Sequence, residues 1–394
     1  MVRDDTLCRA GDPAPRDRVP RVRRQSPRAA AAMTFADRRR DPTLLDALRR
    51  IAPGTDLRAG MDDVIKGHLG ALIVLGEPRE LEFLFSGGVQ LDVPFSPQFL
   101  YEFAKMDGAI ILDADATRIC RANVQLMPDA TIPSSETGTR HRTAERVARQ
   151  TRALVLSISQ QRDTVTLYVR EDRYQLENIA DVLAKTNQAV ATLETYRHRL
   201  DQVASRLTSL EFQNAVMLDD VLVVLQRAEL ATRMGEEIER SVIELGTEGR
   251  LIVMQLAELM DAVPRDREAV VRDYEASGTE AGTQRVLSGL SSLPHQRLLL
   301  FDELAALLGY PEATNPMDFP VAPRGHRALQ QIPRLPSGLI GSVVSSFTGL
   351  DAIVRAPLRD LEGIAGVGQA RAKEIREGLR RLQEQNLVDR YLAL

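Results

Sequence analysis

Apolar residues change their spacing twice along this 394-residue chain, and each change marks a different kind of structure. Between about 42 and 172, short apolar runs stop at Gly, Pro or Asp, as buried strands do. Such runs fall at Ala71–Leu75, 81–85, Ala109–Leu112 and 154–158. Val165, Leu167 and Val169 alternate with Thr166 and Tyr168, which predicts a half-buried strand. Helical spacing separates these runs at 43–51, 97–105 and 143–151. The pattern predicts an α/β domain over 41–173.

From about 174 the period is that of helices. Leu176, Leu183 and Val190 recur every seven residues, as do Leu193, Leu200 and Leu207, with Ile179, Val203 and Leu210 beside them. One helix of about ten turns packed on others follows from this. Further helices are predicted at 215–232, 236–244, 249–260, 265–275 and 298–308. This all-α spine, 174–325, has a charged polar face and no convergent catalytic set, so it suits a spacer or an oligomerisation element. Its last stretch, 310–325, holds four Pro and reads as a linker. The tail, 326–394, is helical around Gly-rich turns. At the other end, residues 1–40 have no periodicity, and the first 32 are rich in Arg, Pro and Ala; a disordered extension, or a start codon assigned upstream of Met33, accounts for them.

Charge changes this picture in one respect. The formal net charge of −4 argues against nucleic acid until it is divided. Residues 1–33 carry +4 and residues 326–394 carry +3, which leaves −11 on the body between them. A polyanion would go to the basic tail. Cys8 and Cys120 are too far apart in sequence to suggest a disulfide framework or a metal knuckle, which fits a reducing, cytoplasmic compartment. No run approaches the roughly 18 apolar residues of a membrane span, so a transmembrane role is not expected.

Two local clusters carry candidate chemistry. Met106-Asp107-Gly108-Ala109 sets a carboxylate at the head of an apolar strand, beside a residue without a side chain. A ribose or phosphate could approach the backbone there while the acid holds a divalent cation; an ordinary Asp-Gly turn has the same sequence. Thr139, Arg140, His141, Arg142 and Thr143 place two hydroxyls, two guanidiniums and an imidazole where the helix over 143–151 begins. Helix N-termini attract anions and Arg binds phosphate oxygens in pairs, so a triphosphate suits this cluster. The bland alternative is a capped, solvated helix start with Glu145 and Arg146 facing outward. His141, between two Arg, should resist protonation and suits a neutral donor to phosphate better than a base. No Gly-x-x-x-x-Gly-Lys-Ser/Thr occurs, so a P-loop is excluded.

In the tail, Gly363-Ile364-Ala365-Gly366-Val367-Gly368 lies between two helical stretches, with Arg371 and Lys373 just beyond. Apolar residues alternating with Gly match the hairpin of a helix-hairpin-helix domain, whose backbone N–H groups contact DNA phosphate and read shape rather than bases. Residues 332–340 form a related half with a Pro-rich turn.

The residues from about 86 to 170 resemble the diadenylate cyclase family. The resemblance rests on Met-Asp-Gly-Ala at 106–109, Ala-Asn at 122–123, Gly-Thr-Arg-His-Arg-Thr-Ala-Glu-Arg at 138–146 and Ser-Ile-Ser at 157–159. The order of domains is similar to that of the family's DNA-scanning members, through to the C-terminus. The resemblance implies condensation of two ATP into cyclic di-AMP with release of two pyrophosphates, in a cytoplasmic protein associated with the nucleoid. It implies that Asp107 holds Mg²⁺ or Mn²⁺ and helps activate the ribose 3′-hydroxyl, and that Gly108 lets the nucleotide approach. Thr139, Arg140, His141, Arg142 and Thr143 would bind phosphates, Ser159 the terminal phosphate, and Leu126 the adenine. Each 3′-hydroxyl must attack the other ATP in line, so two domains must face each other; the family's octamer, holding cyclase domains face to face, agrees. Branched DNA, such as a four-way junction, would bind Gly363, Gly366, Gly368, Arg371 and Lys373. The rivals are a non-catalytic scaffold that binds DNA and senses ATP, and a repair nuclease subunit, which lacks a clustered acidic metal site.

Overall fold

The protein, seen here as a computed structural model, is described over residues 42–311 and 315–392; the extension expected over 1–40 lies outside the described residues. The first unit is built on an eight-stranded sheet in the order β2-β5-β4-β1-β6-β7-β8, with β3 also paired to β5. The strands are β1 (Ala71–Leu75), β2 (Phe85–Ser86), β3 (Val89–Pro94), β4 (Ala109–Leu112), β5 (Arg118–Leu126), β6 (Leu154–Ser159), β7 (Thr164–Val169) and β8 (Asp172–Gln175). β1 and β4 are parallel, and the other pairs are antiparallel.

Helices α1 (Pro42–Arg50), α2 (Asp56–Lys66) and α4 (Pro97–Ala104) cover one face, where Leu48, Met61 and Leu100 meet Ile73, Ile110 and Leu156. Helix α5 (Thr139–Gln150) covers the other with Ala144, Val147 and Ala148 against Val74, Ile111, Val155 and Tyr168. This second layer corrects the reading of β7 as half-buried: Thr166 is 2% and Tyr168 1% exposed, so both faces are covered. The strand expected at 81–85 is also corrected. Pro78, whose fixed φ suits a first helical turn, opens α3 (Pro78–Leu81); a 3₁₀ turn (Glu82–Leu84) follows, and only Phe85–Ser86 is extended.

The spine contains α6 (Ile179–Gln213), α7 (Leu218–Leu245), α8 (Arg250–Met260), α9 (Val263–Tyr274), α10 (Glu280–Ser292), α11 (His295–Leu298) and α12 (Phe301–Leu308). The 35 residues of α6 make the expected ten or so turns. Leu176 does not belong to it; its N–H bonds to Val165 O at 2.9 Å, continuing the pairing of β8 with β7. Two helices expected at 215–232 and 236–244 are one, because Gly235 falls inside α7 with Met260 packed where its side chain would be. Nor is the Pro-rich stretch a free linker. Its Phe319 O accepts Leu218 N at 2.9 Å and its Val321 N donates to Val216 O at 3.0 Å. Arg324 donates to the carbonyls of Arg272, Asp273 and Glu275 at 3.0, 3.0 and 2.6 Å, which binds the segment to the end of α9.

The tail holds α13 (His326–Gln330), α14 (Ser337–Ser346), α15 (Leu350–Arg355), α16 (Leu358–Glu362) and α17 (Gln369–Leu392). Its two turns share a backbone pattern. Ile332 N bonds Leu329 O and Leu335 N bonds Ile332 O; likewise Ile364 N bonds Leu361 O and Val367 N bonds Ile364 O. Arg334, at φ 64°, stands where Gly366 stands at φ 87°. The Pro-rich turn therefore adopts the glycine-rich turn's shape at the cost of a left-handed arginine, a strain of about 1–2 kcal/mol. Among the described residues no helix is long and apolar enough to cross a membrane.

Candidate active site

The site forms where β4 begins beside the first turn of α5. Asp107 and Gly108 immediately precede β4, and β5 brings Leu126 alongside; together with Thr139, Arg140, His141 and Thr143 they line one cleft of about 670 Å³. Helix α5 starts four residues before the expected 143, so Arg140, His141 and Arg142 lie inside its first turn. Its N-cap is Gly138, which offers no side chain to the free N–H groups of that turn. An anion in the cleft would find those donors open.

Two expected residues stand apart from the cleft lining. Arg142 turns back on the preceding loop, donating from Nε and Nη2 to Glu136 O and Thr137 O at 3.3 Å each. Ser159 ends β6 opposite Thr164. Glu145 and Arg146 also differ from the outward-facing expectation. Glu145 is 5% exposed and accepts from Ser134 Oγ at 2.5 Å and Ser135 N at 3.1 Å, and Arg146 Nε donates to Ile132 O at 2.9 Å. They fasten the loop between β5 and α5 rather than solvate the helix.

Gly108 has a structural requirement of its own. A Cβ there would sit 2.6 Å from Asn123 C and 2.7 Å from its Cα. Asn123 is left-handed, at φ 57°, where the pairing of β4 with β5 shifts register. Gly70 plays a comparable part, since a Cβ on it would collide with the Arg140 guanidinium, 3.1 Å from Cζ. The sequence reading missed it, because nothing local marks a glycine that yields to a side chain 70 positions on.

Burial, more than the flanking arginines, lowers the His141 pKa, with Arg173, Arg140 and Arg162 adding to it against Glu136. Its Nδ1 lies 2.9 Å from Tyr168 Oη, which in turn donates to Glu136 Oε1 at 2.8 Å. Neither Tyr168 nor Glu136 was foreseen as part of the site.

Asp107 is exposed and, among the described residues, makes no ion pair or hydrogen bond. Nor do the described residues contain any cluster of three His, Cys, Asp or Glu side chains that could hold a metal. One carboxylate with space around it fits a hard cation that takes its remaining oxygens from water and substrate phosphates, as Mg²⁺ does. A larger cleft of about 1030 Å³, lined by Arg50, Glu77, Arg149 and Arg170 among others, contains none of the motif residues.

Comparison with known proteins agrees with this geometry. Residues 58–173 match the family described as DisA bacterial checkpoint controller nucleotide-binding, and residues 176–317 the DisA bacterial checkpoint controller linker region. The DNA integrity scanning protein DisA of Frankia alni is 46% identical over 346 residues, covering 88% of this chain and 96% of that protein. The proteins of the same name from Carboxydothermus hydrogenoformans and Streptomyces coelicolor are 46% and 45% identical, over 88% and 89% of this chain and 98% and 95% of their own lengths. The chain belongs to the DisA family of DNA integrity scanning proteins, with a DAC nucleotide-binding domain ahead of a DisA linker region.

Proposed function

We propose that this protein is a diadenylate cyclase, condensing two ATP into cyclic di-AMP and two pyrophosphates, and that its tail binds branched DNA. The observation that carries the catalytic half is the shared cleft: a free carboxylate, Asp107, faces the same space as the uncapped first turn of α5. In this reading Thr139, Arg140 and Thr143 hold the triphosphate, His141 meets the nucleotide beside them, Leu126 borders the adenine and Asp107 supplies the protein ligand for Mg²⁺ or Mn²⁺. A bound cation would lower the pKa of the attacking hydroxyl and neutralise phosphate charge. Arg142 supports the site by tying down the loop at Glu136 and Thr137. Ser159 follows Ile158, whose carbonyl borders Gly70 as the Arg140 guanidinium does, so phosphates extending along Arg140 lead toward it. One cleft offers one nucleotide, so two protomers face each other during the reaction, and the helical spine holds the octamer that presents them.

For the tail, 326–394, we propose a paired helix-hairpin-helix. The matched turns at 332–337 and 364–369 support this, since each leads into a helix whose first N–H groups have no acceptor within the helix. A Cβ on Gly368 would meet nothing within 4 Å, which leaves room for a phosphodiester, whereas one on Gly363 would touch the Asp360 and Arg359 carbonyls at 3.5 and 3.6 Å; Lys373 is exposed. Arg371 donates to Gly366 O at 2.9 Å, bracing the turn while its other donors remain for phosphate. The corresponding division of the chain is 41–173, 174–325 and 326–394.

The test is incubation of purified protein with ATP and Mn²⁺, or Mg²⁺, followed by mass spectrometry, with and without a four-way junction. Cyclic di-AMP from the wild type and none from a folded Asp107→Asn variant is the expected result. ATP binding without product would turn the assignment to the scaffold alternative.

A further inference from the structure

Tyr168 is 1% exposed, yet its hydroxyl sits in the middle of a polar chain that runs from the outer strands to the cleft. Its single proton goes to Glu136 Oε1 at 2.8 Å. The same carboxylate oxygen takes Arg173 Nε at 2.6 Å, so Glu136 acts as an acceptor on both sides. Arg173 also donates toward the tyrosine oxygen, and the oxygen's other partner is His141 Nδ1, at 2.9 Å. An oxygen whose proton is already committed can only accept there, so Nδ1 carries the hydrogen. Burial holds His141 below the usual histidine range, with Glu136 opposing and Arg173, Arg140 and Arg162 reinforcing it, which favours the neutral ring. A neutral ring protonated at Nδ1 has a bare Nε2, and this ring lines the cleft.

We propose that Tyr168 and Glu136 are positioning residues that fix His141 in its Nδ1–H tautomer, so that Nε2 meets the nucleotide as a hydrogen-bond acceptor. A phosphate oxygen has no proton to give such a nitrogen, whereas a ribose hydroxyl has. His141 therefore takes a sugar hydroxyl, and the phosphates fall to Arg140, Thr139, Thr143 and the helix N–H groups. This reverses the donor role expected from the sequence, and it rests on the nucleotide reading of the cleft.

The tautomer can be read without turnover. Solid-state NMR of sedimented full-length protein labelled with ¹³C,¹⁵N-histidine, with His141 picked out by subtracting a His141→Gln spectrum, should show the Nδ1–H pattern. Tyr168→Phe keeps the packing and removes the acceptor, so the pattern should shift toward Nε2–H. Its kcat should fall about ten- to a hundredfold, with the KM for ATP moving by less than about twofold, as expected when one group is misaimed while those that hold the substrate stay in place. Glu136→Ala frees the tyrosine proton to point at His141 and should lose the pattern; Glu136→Gln, whose amide oxygen still accepts, should keep it. An Nε2–H pattern in the wild type overturns the proposal, as does an unchanged pattern in Tyr168→Phe or a raised KM with normal kcat. If the tautomers behave as described but the wild type makes no cyclic di-AMP, the functional reading fails and the relay stands.

Discussion

Arg327 Nη1 meets Glu211 Oε1 at 2.6 Å across 116 residues of sequence, with both side chains buried. Around this pair, Tyr274 Oη donates to the same glutamate oxygen at 2.7 Å. Asp273 accepts the backbone N–H groups of Gly325, His326 and Arg327 at 2.7, 2.7 and 2.9 Å, capping α13 from α9. The first helix of the tail is thus anchored in the spine by charge and capping together.

Arg327→Met should cost about 3–5 kcal/mol, because it strands Glu211, whose Oε2 is already buried without a hydrogen bond. Adding Glu211→Met should recover part of the loss, since it removes the stranded carboxylate but leaves the buried Tyr274 hydroxyl without its acceptor. Chemical denaturation measures both, and limited proteolysis should show the tail released in the single variant only.

Acid should loosen the same junction through His326. Burial, aided by Arg272 and Arg324, lowers its pKa from 6.5 to about 4. Below the unfolded value the unfolded chain binds a proton that the folded chain refuses, so stability present above pH 6.5 declines as the pH falls toward about 4. His326→Gln removes this dependence. The drop in Tm between about pH 7.5 and about pH 5 should be smaller in the variant than in the wild type, and an equal drop would refute the assignment.

Gly108→Ala should disable the cleft without touching ligand. Its Cβ would meet the Asn123 backbone at 2.6 Å, where no side chain can move aside, so β4 and β5 must part. A stability loss of about 1–3 kcal/mol should accompany the loss of nucleotide binding, measured by thermal shift and ATP titration.

The two tail glycines should separate shape from room. A Cβ on Gly368 meets nothing within 4 Å, so Gly368→Glu should keep Tm and lower affinity for a four-way junction by about tenfold or more through charge. Gly366 is left-handed at φ 87° with Leu339 3.2 Å from its Cβ position, so Gly366→Val should lower both Tm and affinity. Gel-shift titration at fixed salt, beside thermal unfolding, distinguishes the two.

How much of this was legible depended on how local each cause is. β1 and β4 lie in the middle of a sheet covered on both faces, so they appear as unbroken apolar runs. β5 is as much part of the sheet, but Arg118, Arg121 and Asn123 interrupt its alternation where the register slips, and no run survives to be read. The start of α5 was placed late because its N-cap is Gly138 rather than a residue whose side chain caps. In the site, Asp107 and the 139–143 cluster were legible because each is a short contiguous stretch. Glu136 and Tyr168 were not, since 32 residues separate them and only the packing of α5 on β7 unites them.

Helix α7 touches both ends of the molecule. At its start Leu218 is bonded to Phe319 of the segment that leads into the tail; at its end Glu244 takes the Tyr174 hydroxyl at 2.7 Å and Ile243 packs on the core of the sheet. Its 28 residues span about 42 Å as one unbroken element, and Gly235, where a joint could form, is filled by Met260. Such a member behaves as a strut: it transmits thrust and torque instead of absorbing them. A displacement at the Phe319 end would be carried along the helix axis to Glu244 and the strand of Tyr174 rather than taken up at a joint between them.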